Sequence, residues 1–146
     1  MESEIIRQAK AKALETGLPY AGDVTPKQAW QLVQDGDAVI VDVRTPEEYR
    51  LIGHVPDSQL VPWQCGTPAV LNPLFVPEIA RRFPKDNVLL LLCRGARRSV
   101  KAAIALKEAG FTSAMNILEG FEGKADASGQ RGHINGWIYH QLPWIR

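Results

Sequence analysis

The sequence predicts an α/β domain built on a parallel sheet covered on both faces. Three short apolar runs carry the first part of that reading: Ala38-Val39-Ile40-Val41, Val88-Leu89-Leu90-Leu91-Leu92 and Ala114-Met115-Asn116-Ile117-Leu118. Runs of this length that do not alternate polar and apolar read as strands buried on both faces. The segments between them carry helix starts and helical spacing, and strands alternating with helices call for parallel pairing. A chain of 146 residues, 45% hydrophobic and 23% charged, is long enough to bury one core without covalent staples.

The elements follow in order. Residues 3–16 predict an amphipathic helix with Ile5, Ile6, Ala9 and Ala13 toward one face, ended by Gly17 and Pro19. Residues 1–20 are therefore set apart as an N-terminal helical extension, with 21–146 as the main domain. Thr25-Pro26 supplies a cap and a first-turn proline for a helix through Ala29, Trp30, Leu32 and Val33 to Gly36. The strand at 38–41 ends at Asp42, and Thr45-Pro46-Glu47-Glu48-Tyr49 has the cap, proline and acidic first turn of a further helix, broken by Gly53. A weaker strand is expected near Gln59-Leu60-Val61, an irregular segment from Pro62 to Pro73, and a helix over Leu74 to Phe83. After the 88–92 strand, Val100 to Ala109 spaces Val100, Ala103, Ile104 and Leu106 as a helix, with Ser99 as its expected cap and Gly110 as its stop. Beyond the last strand, residues 122–136 read as a glycine-rich loop, and Trp137, Leu142, Pro143 and Trp144 are expected to fold the tail back on the core.

A formal charge of +1 and a pI near 7.8 argue against a nucleic-acid surface or a polybasic membrane tract. Cys65 and Cys93 are the only cysteines, without CxxC or zinc-ligand spacing, so neither a disulfide framework nor a metal is expected. The first residues lack the apolar core of a secretory signal and no run reaches transmembrane length, which places the expected location in the cytoplasm.

The chemistry concentrates where the 88–92 strand delivers Cys93 into Arg94-Gly95-Ala96-Arg97-Arg98-Ser99. In a strand–turn–helix unit the amides of the turn and of the first helical turn converge on one point with partial positive charge. Cys93 stands at that point. A thiol is nucleophilic as thiolate, a free one has a pKa of roughly 8.5, and a helix N-terminus with nearby arginines favours the anion. Arg94, Arg97, Arg98 and Lys101 add four cations within eight residues of Cys93. Cys93 and Asp42 both end strands, at the edge of the sheet where open α/β sheets bind ligands.

Several motifs stand in a fixed order: Val41-Asp42-Val43-Arg44-Thr45-Pro46-Glu47-Glu48-Tyr49 with Gly53-His54-Val55-Pro56, then Cys93-Arg94-Gly95-Ala96-Arg97-Arg98-Ser99, Gly110-Phe111, Leu118-Glu119-Gly120-Phe121, and Gly136-Trp137 with Leu142-Pro143-Trp144. In these the chain resembles single-domain members of the rhodanese superfamily, from about Asp23 to the C-terminus. The resemblance implies a three-layer α/β/α fold with a five-stranded parallel sheet. It also implies transfer of a sulfane sulfur through a Cys93 persulfide, from thiosulfate or a similar small anionic donor to cyanide or a thiol, the latter carried by a small redox protein among others. No cofactor beyond that covalent intermediate is implied. A persulfide carrier feeding a protein partner is the alternative. The related phosphatase and arsenate reductase branch has a loop one residue longer, with an arginine where this chain has Ser99, and is disfavoured.

Within this reading Cys93 is the nucleophile, and Arg94, Gly95, Ala96, Arg97, Arg98 and Ser99 form the substrate-binding loop. Many members have glycine where this chain has Ala96; if that position takes positive φ, alanine there is strained by about 1 kcal/mol or more. Asp42 is expected to be a loop organiser paired with Arg98 or the loop amides, and Arg44 to hold Glu47 or Glu48. His54 is read as a backbone tie rather than a catalyst, His133 and His140 as surface residues, and Cys65 as an inert loop thiol, the alternative being a secondary thiol that would take sulfur from Cys93 or oxidise with it.

Overall fold

The structure, a computed structural model, describes residues 3–66 and 70–146. Helix α1 (Glu4–Thr16) starts at Ser3, whose hydroxyl accepts from the Ile5 amide, and stops at Gly17 in the left-handed conformation. Its Ile6 is buried, so the segment packs on the body of the protein. Edge strand β1 (Asp23–Val24) leads into α2 (Pro26–Gln34), where Thr25 and Gln28 close a reciprocal capping box. Then come β2 (Val39–Asp42), a one-turn π-helix (Glu48–Ile52), β3 (Gln59–Leu60), the hairpin β4 (Gln64–Cys65) and β5 (Val70–Leu71), α3 (Phe75–Arg82), β6 (Leu89–Leu92), α4 (Arg97–Glu108) and β7 (Ala114–Ile117).

The main sheet has five parallel strands in the order β1-β7-β6-β2-β3. Every residue of β6 and β7 is buried, as strands covered on both faces require. One face packs Val41, Leu89, Leu91 and Cys93 against Phe75 and Ile79 of α3 and Ala102, Ala103 and Leu106 of α4. The other packs Ile40, Leu90, Leu92 and Met115 against Ile6, Ala29 and Leu32 of α1 and α2 and against Trp137. The result is an α/β/α sandwich in which each fully buried leucine contributes about 1.5–3 kcal/mol. No described helix is long and apolar enough to cross a membrane.

One strand was not foreseen and three local expectations need correction. Strand β1 is too short to carry a pattern and forms because its backbone completes β7. The segment 62–73, expected to be irregular, holds the β4–β5 hairpin, with residues 67–69 outside the described ones. The helix after Thr45 closes on an i→i+5 bond, Gly53 N–H to Glu48 O, rather than an α-helical one. Ser99 does not cap α4: the helix begins two residues earlier, after Ala96, and Ser99 is fully buried.

Candidate active site

Chain order sets the position of the site. From β2 the chain moves outward to β3, and from β6 it moves the opposite way to β7, so the sheet reverses direction between β2 and β6. A crevice opens beyond the carboxyl ends of strands at such a point. Asp42 lies beside Leu92 in the register, which brings the end of β2 alongside Cys93.

Cys93 is 1% exposed, at the floor of a cavity of about 390 Å3 lined by Gln64, Arg94, Gly95, Arg97, Arg98, Lys101 and Arg131. The sulfur replaces a missing helix cap. An N-cap side chain usually takes the amide three residues into the helix, but Ala96 has none to offer; instead the Ser99 N–H donates to Cys93 Sγ at 3.3 Å. Among the described residues no acceptor takes the amides of Arg94, Gly95 or Ala96. Successive unclaimed N–H groups around a helix start form an anion-binding nest.

The loop carbonyls are occupied by the segment that follows the adjacent strand β7. Phe121 N–H donates to Cys93 O at 2.7 Å, and the Glu122 and Gly123 amides both donate to Arg94 O at 3.1 Å. Gly120 makes that contact possible, because a Cβ on it would lie 2.4 Å from Arg94 O. Ala96 has φ 69° and ψ 15°, so the left-handed position of the loop is occupied by alanine, and glycine stands one residue earlier. Gly95 leaves room for the Arg131 guanidinium: a Cβ there would meet its Nη1 at 3.2 Å.

Arg131 is a cavity-lining residue that sequence reasoning missed. It comes from the 122–136 loop, donates to Gly123 O at 2.5 Å and lines the cavity beside Gly95 of the Cys93 loop. Asp126 holds that loop in shape, accepting from the Ser128 hydroxyl and amide, the Gln130 amide and His133. Hydrogen bonds from Ser128, His133 and Gln130 keep its carboxyl well below the usual carboxylate range. Among the described residues no carboxylate pairs with Arg94, Arg97, Lys101 or Arg131, so the cavity keeps their positive charge.

Arg98 is different, and here the expected pairings are exchanged. Its guanidinium grips Glu48 with bonds of 2.7 and 3.0 Å. Burial pushes the Glu48 carboxyl up, but hydrogen bonds from Arg98 and the Thr45 amide and attraction to Arg98 and Arg44 outweigh it, holding the group at about 2. The Glu48 contact in turn raises the Arg98 pKa above its ordinary value. Asp42 pairs with Arg44 instead, through Nε at 3.0 and 3.1 Å and Nη2 at 2.8 Å, and both side chains are fully buried. Arg44 also donates to Gly53 O at 2.7 Å and lies 4.3 Å over the Phe121 ring. The pair thus ties the end of β2 to the turn after the π-helix, because Arg98 is already committed to Glu48.

The remaining residues fall into place around this centre. His54 bonds Tyr49 O through Nδ1 at 3.1 Å and stacks on the Tyr49 ring, away from the residues that line the cavity. His133 is an exposed surface residue, as expected, set against Asp126, whereas His140 is half-buried against Glu119. Cys65 is an exposed free thiol on β4. Its neighbour Gln64 lines the cavity, and adjacent strand residues point to opposite sides, which turns Cys65 away from Cys93. Trp137 is buried edge-on to Trp30 and donates its Nε1–H to Pro143 O, folding the tail over the sheet.

Comparison with known proteins agrees with this architecture. The family profile described as rhodanese-like domain matches residues 25–127. A sulfurtransferase of Allochromatium vinosum is 30% identical over 115 residues, which cover 79% of this chain and 85% of that protein. Senescence-associated protein DIN1 of Raphanus sativus is 32% identical over 111 residues, but this chain spans only 60% of its length. Among solved structures, Rv0390 from M. tuberculosis is similar with a TM-score of 0.77 and 41% identity, over 86% of this chain and 97% of that one. With its five-stranded parallel sheet, its cysteine loop at the sheet's reversal point and a profile match over most of its length, this chain belongs to the rhodanese-like domain family.

Proposed function

We propose that this protein is a sulfurtransferase that works through a Cys93 persulfide in two half-reactions. In the first, the Cys93 thiolate bonds to the outer sulfur of a small anionic donor such as thiosulfate; the donor's S–S bond breaks and sulfite leaves with the electron pair. In the second, cyanide or an acceptor thiolate attacks the outer sulfur of the persulfide. The Cys93–sulfur bond breaks, thiocyanate or the acceptor's persulfide departs, and the thiolate is restored. Electrons balance within each step.

The observation that carries this reading is the seat of the sulfur. Cys93 Sγ caps α4 through the Ser99 amide, the amides of Arg94 to Ala96 are unclaimed among the described residues, and cations surround the mouth. A terminal sulfur bearing negative charge is stabilised there by preorganised N–H groups. Arg94, Arg97, Lys101 and Arg131 attract and orient the dianionic donor, guanidinium forks suiting its oxyanions. Arg98 keeps the loop in register through Glu48, and the Asp42–Arg44 pair braces the adjacent strand end. The same geometry disfavours phosphoryl transfer, since Ser99, where that branch has its arginine clamp, is buried and bonded to Asn116. That a relative carries the name sulfurtransferase supports the reading.

Thiocyanate formation from thiosulfate and cyanide tests it. Wild type and Cys65→Ser are expected to turn over and Cys93→Ser to be inactive. No thiocyanate from wild type, with turnover of an aryl phosphate, would move the site to phosphoryl chemistry. No turnover of either, with sulfur accepted from a protein persulfide, would make it a carrier.

A further inference from the structure

A buried polar chain leaves the site and takes no part in the steps above. Ser99 Oγ lies 3.3 Å from Cys93 Sγ and 2.6 Å from Asn116 Oδ1. Asn116, 2% exposed in the middle of β7, donates from Nδ2 to Asp23 Oδ1 at 3.0 Å, and the two are register partners across β1 and β7. The Tyr20 hydroxyl donates to the same carboxylate oxygen at 2.8 Å. An amide inside a wholly buried strand is costly unless bonded, and this one is bonded at both ends.

The direction of each bond follows from donor chemistry. A carboxylate oxygen accepts only, so the end of the Asn116 amide facing Asp23 is its NH2 group. The amide oxygen then faces Ser99, and it too accepts only. The single Ser99 hydroxyl proton is therefore used on Asn116, and Ser99 turns a lone pair toward the sulfur. A protonated Cys93 satisfies that lone pair by donating S–H. A thiolate cannot, and receives from this residue the backbone N–H alone.

We infer that Asn116, oriented by Asp23, is a positioning residue that withholds the Ser99 hydroxyl from the Cys93 sulfur. The inference builds on Cys93 as the nucleophile of the proposed reaction. A hydrogen bond to a thiolate favours the anion but dulls it, since nucleophilicity falls as basicity falls. The chain from Asp23 keeps the sulfur short of one donor, so that the ionised sulfur stays strongly nucleophilic. Other charges face the sulfur: Arg94, Arg97, Arg98 and Lys101 from its own loop and α4, and Arg131 from the 122–136 loop. Glu48 is held on Arg98, and Asp42 on Arg44. None of them touches Asn116.

The test is alkylation of Cys93 by iodoacetamide across pH in the Cys65→Ser protein, where one thiol reports. Asn116→Leu removes the acceptor of the Ser99 proton and keeps the volume of the side chain. The hydroxyl is then free to turn to the sulfur. The midpoint of the rate profile is expected to move toward acid by roughly half to one pH unit, and the alkaline plateau to fall about two- to threefold. Ser99→Ala added to Asn116→Leu should give the profile of Ser99→Ala alone. A profile unchanged by Asn116→Leu, or the same shift with Ser99 already removed, overturns the inference. If Asn116→Leu does not fold, Asp23→Ala at the half-buried sheet edge releases the amide to turn over, and the same two outcomes decide. Alkylation needs no sulfur donor, so this result is separate from that of the thiocyanate assay.

Discussion

Ala96→Gly is expected to stabilise the protein, although it removes a methyl group and places a flexible residue at the mouth of the site. Ala96 has φ 69° and ψ 15°, and α4 begins at the next residue. An L-residue in that region is strained by about 1–2 kcal/mol relative to its right-handed form. Glycine removes the strain but gives the unfolded chain extra freedom that costs about 0.4–1 kcal/mol. The net gain is about 0.5–1 kcal/mol, or a rise in Tm of roughly 2–3 °C for a chain of this size. Urea unfolding measures it as a higher midpoint at unchanged slope. Gly95→Ala is the internal comparison: Gly95 is not among the positive-φ residues, and its added Cβ meets the far end of Arg131 at 3.2 Å and Gly123 O at an ordinary contact distance of 3.7 Å. Its stability should hold or rise by up to about 1 kcal/mol, because the unfolded chain loses freedom, while donor binding suffers through the displaced guanidinium. A loss of stability in Ala96→Gly would refute the assignment of strain to position 96.

Other consequences follow from the same contacts. Arg44→Met leaves the Asp42 carboxylate buried without its partner and should cost about 3–5 kcal/mol, enough to halve the stability of an ordinary domain, measurable by denaturant titration. Glu48 titrates at about 2 in the folded protein against 4.5 ordinarily. A depressed carboxyl contributes its stability above the unfolded value and loses it as pH falls through the folded one. The advantage of wild type over Glu48→Gln, of order 2–3 kcal/mol near neutrality, should therefore shrink between about pH 4.5 and 2. Arg131→Ala removes a cation from the cavity without touching Cys93, and is expected to raise KM for thiosulfate roughly three- to tenfold with kcat within about twofold. An unchanged KM would remove Arg131 from the binding site.

The core of the fold was legible because its strands are saturated with apolar residues. Leu89 to Leu92 and Val39 to Val41 have one reading, a strand covered on both faces, and Cys93 follows with its helix behind it. Strands β1, β4 and β5 have two residues each, too few for any periodicity, and form because a neighbour supplies hydrogen bonds. The ion pairs were illegible for another reason. Asp42 and Arg44 are two apart, which sets them on one face of a straight strand, but the strand ends at Asp42, and the bend that follows brings the guanidinium back onto the carboxylate. Arg131 lies far from Cys93 in sequence, within a loop whose shape is set by the Asp126 turn, and spacing alone cannot bring it to the cavity. Ser99 was misread as a cap because its position two residues inside α4 depends on the left-handed turn at Ala96. Asn116 did leave a signal: one amide in the centre of an apolar strand is a polar group that must find partners.

The central claim is that Cys93 carries sulfur, and intact mass spectrometry of the reduced protein before and after thiosulfate tests it most directly. Wild type and Cys65→Ser are predicted to gain one sulfur atom, Cys93→Ser none, and cyanide to remove the gain and return the original mass. An unchanged mass in wild type, or a gain that persists in Cys93→Ser, would contradict the account.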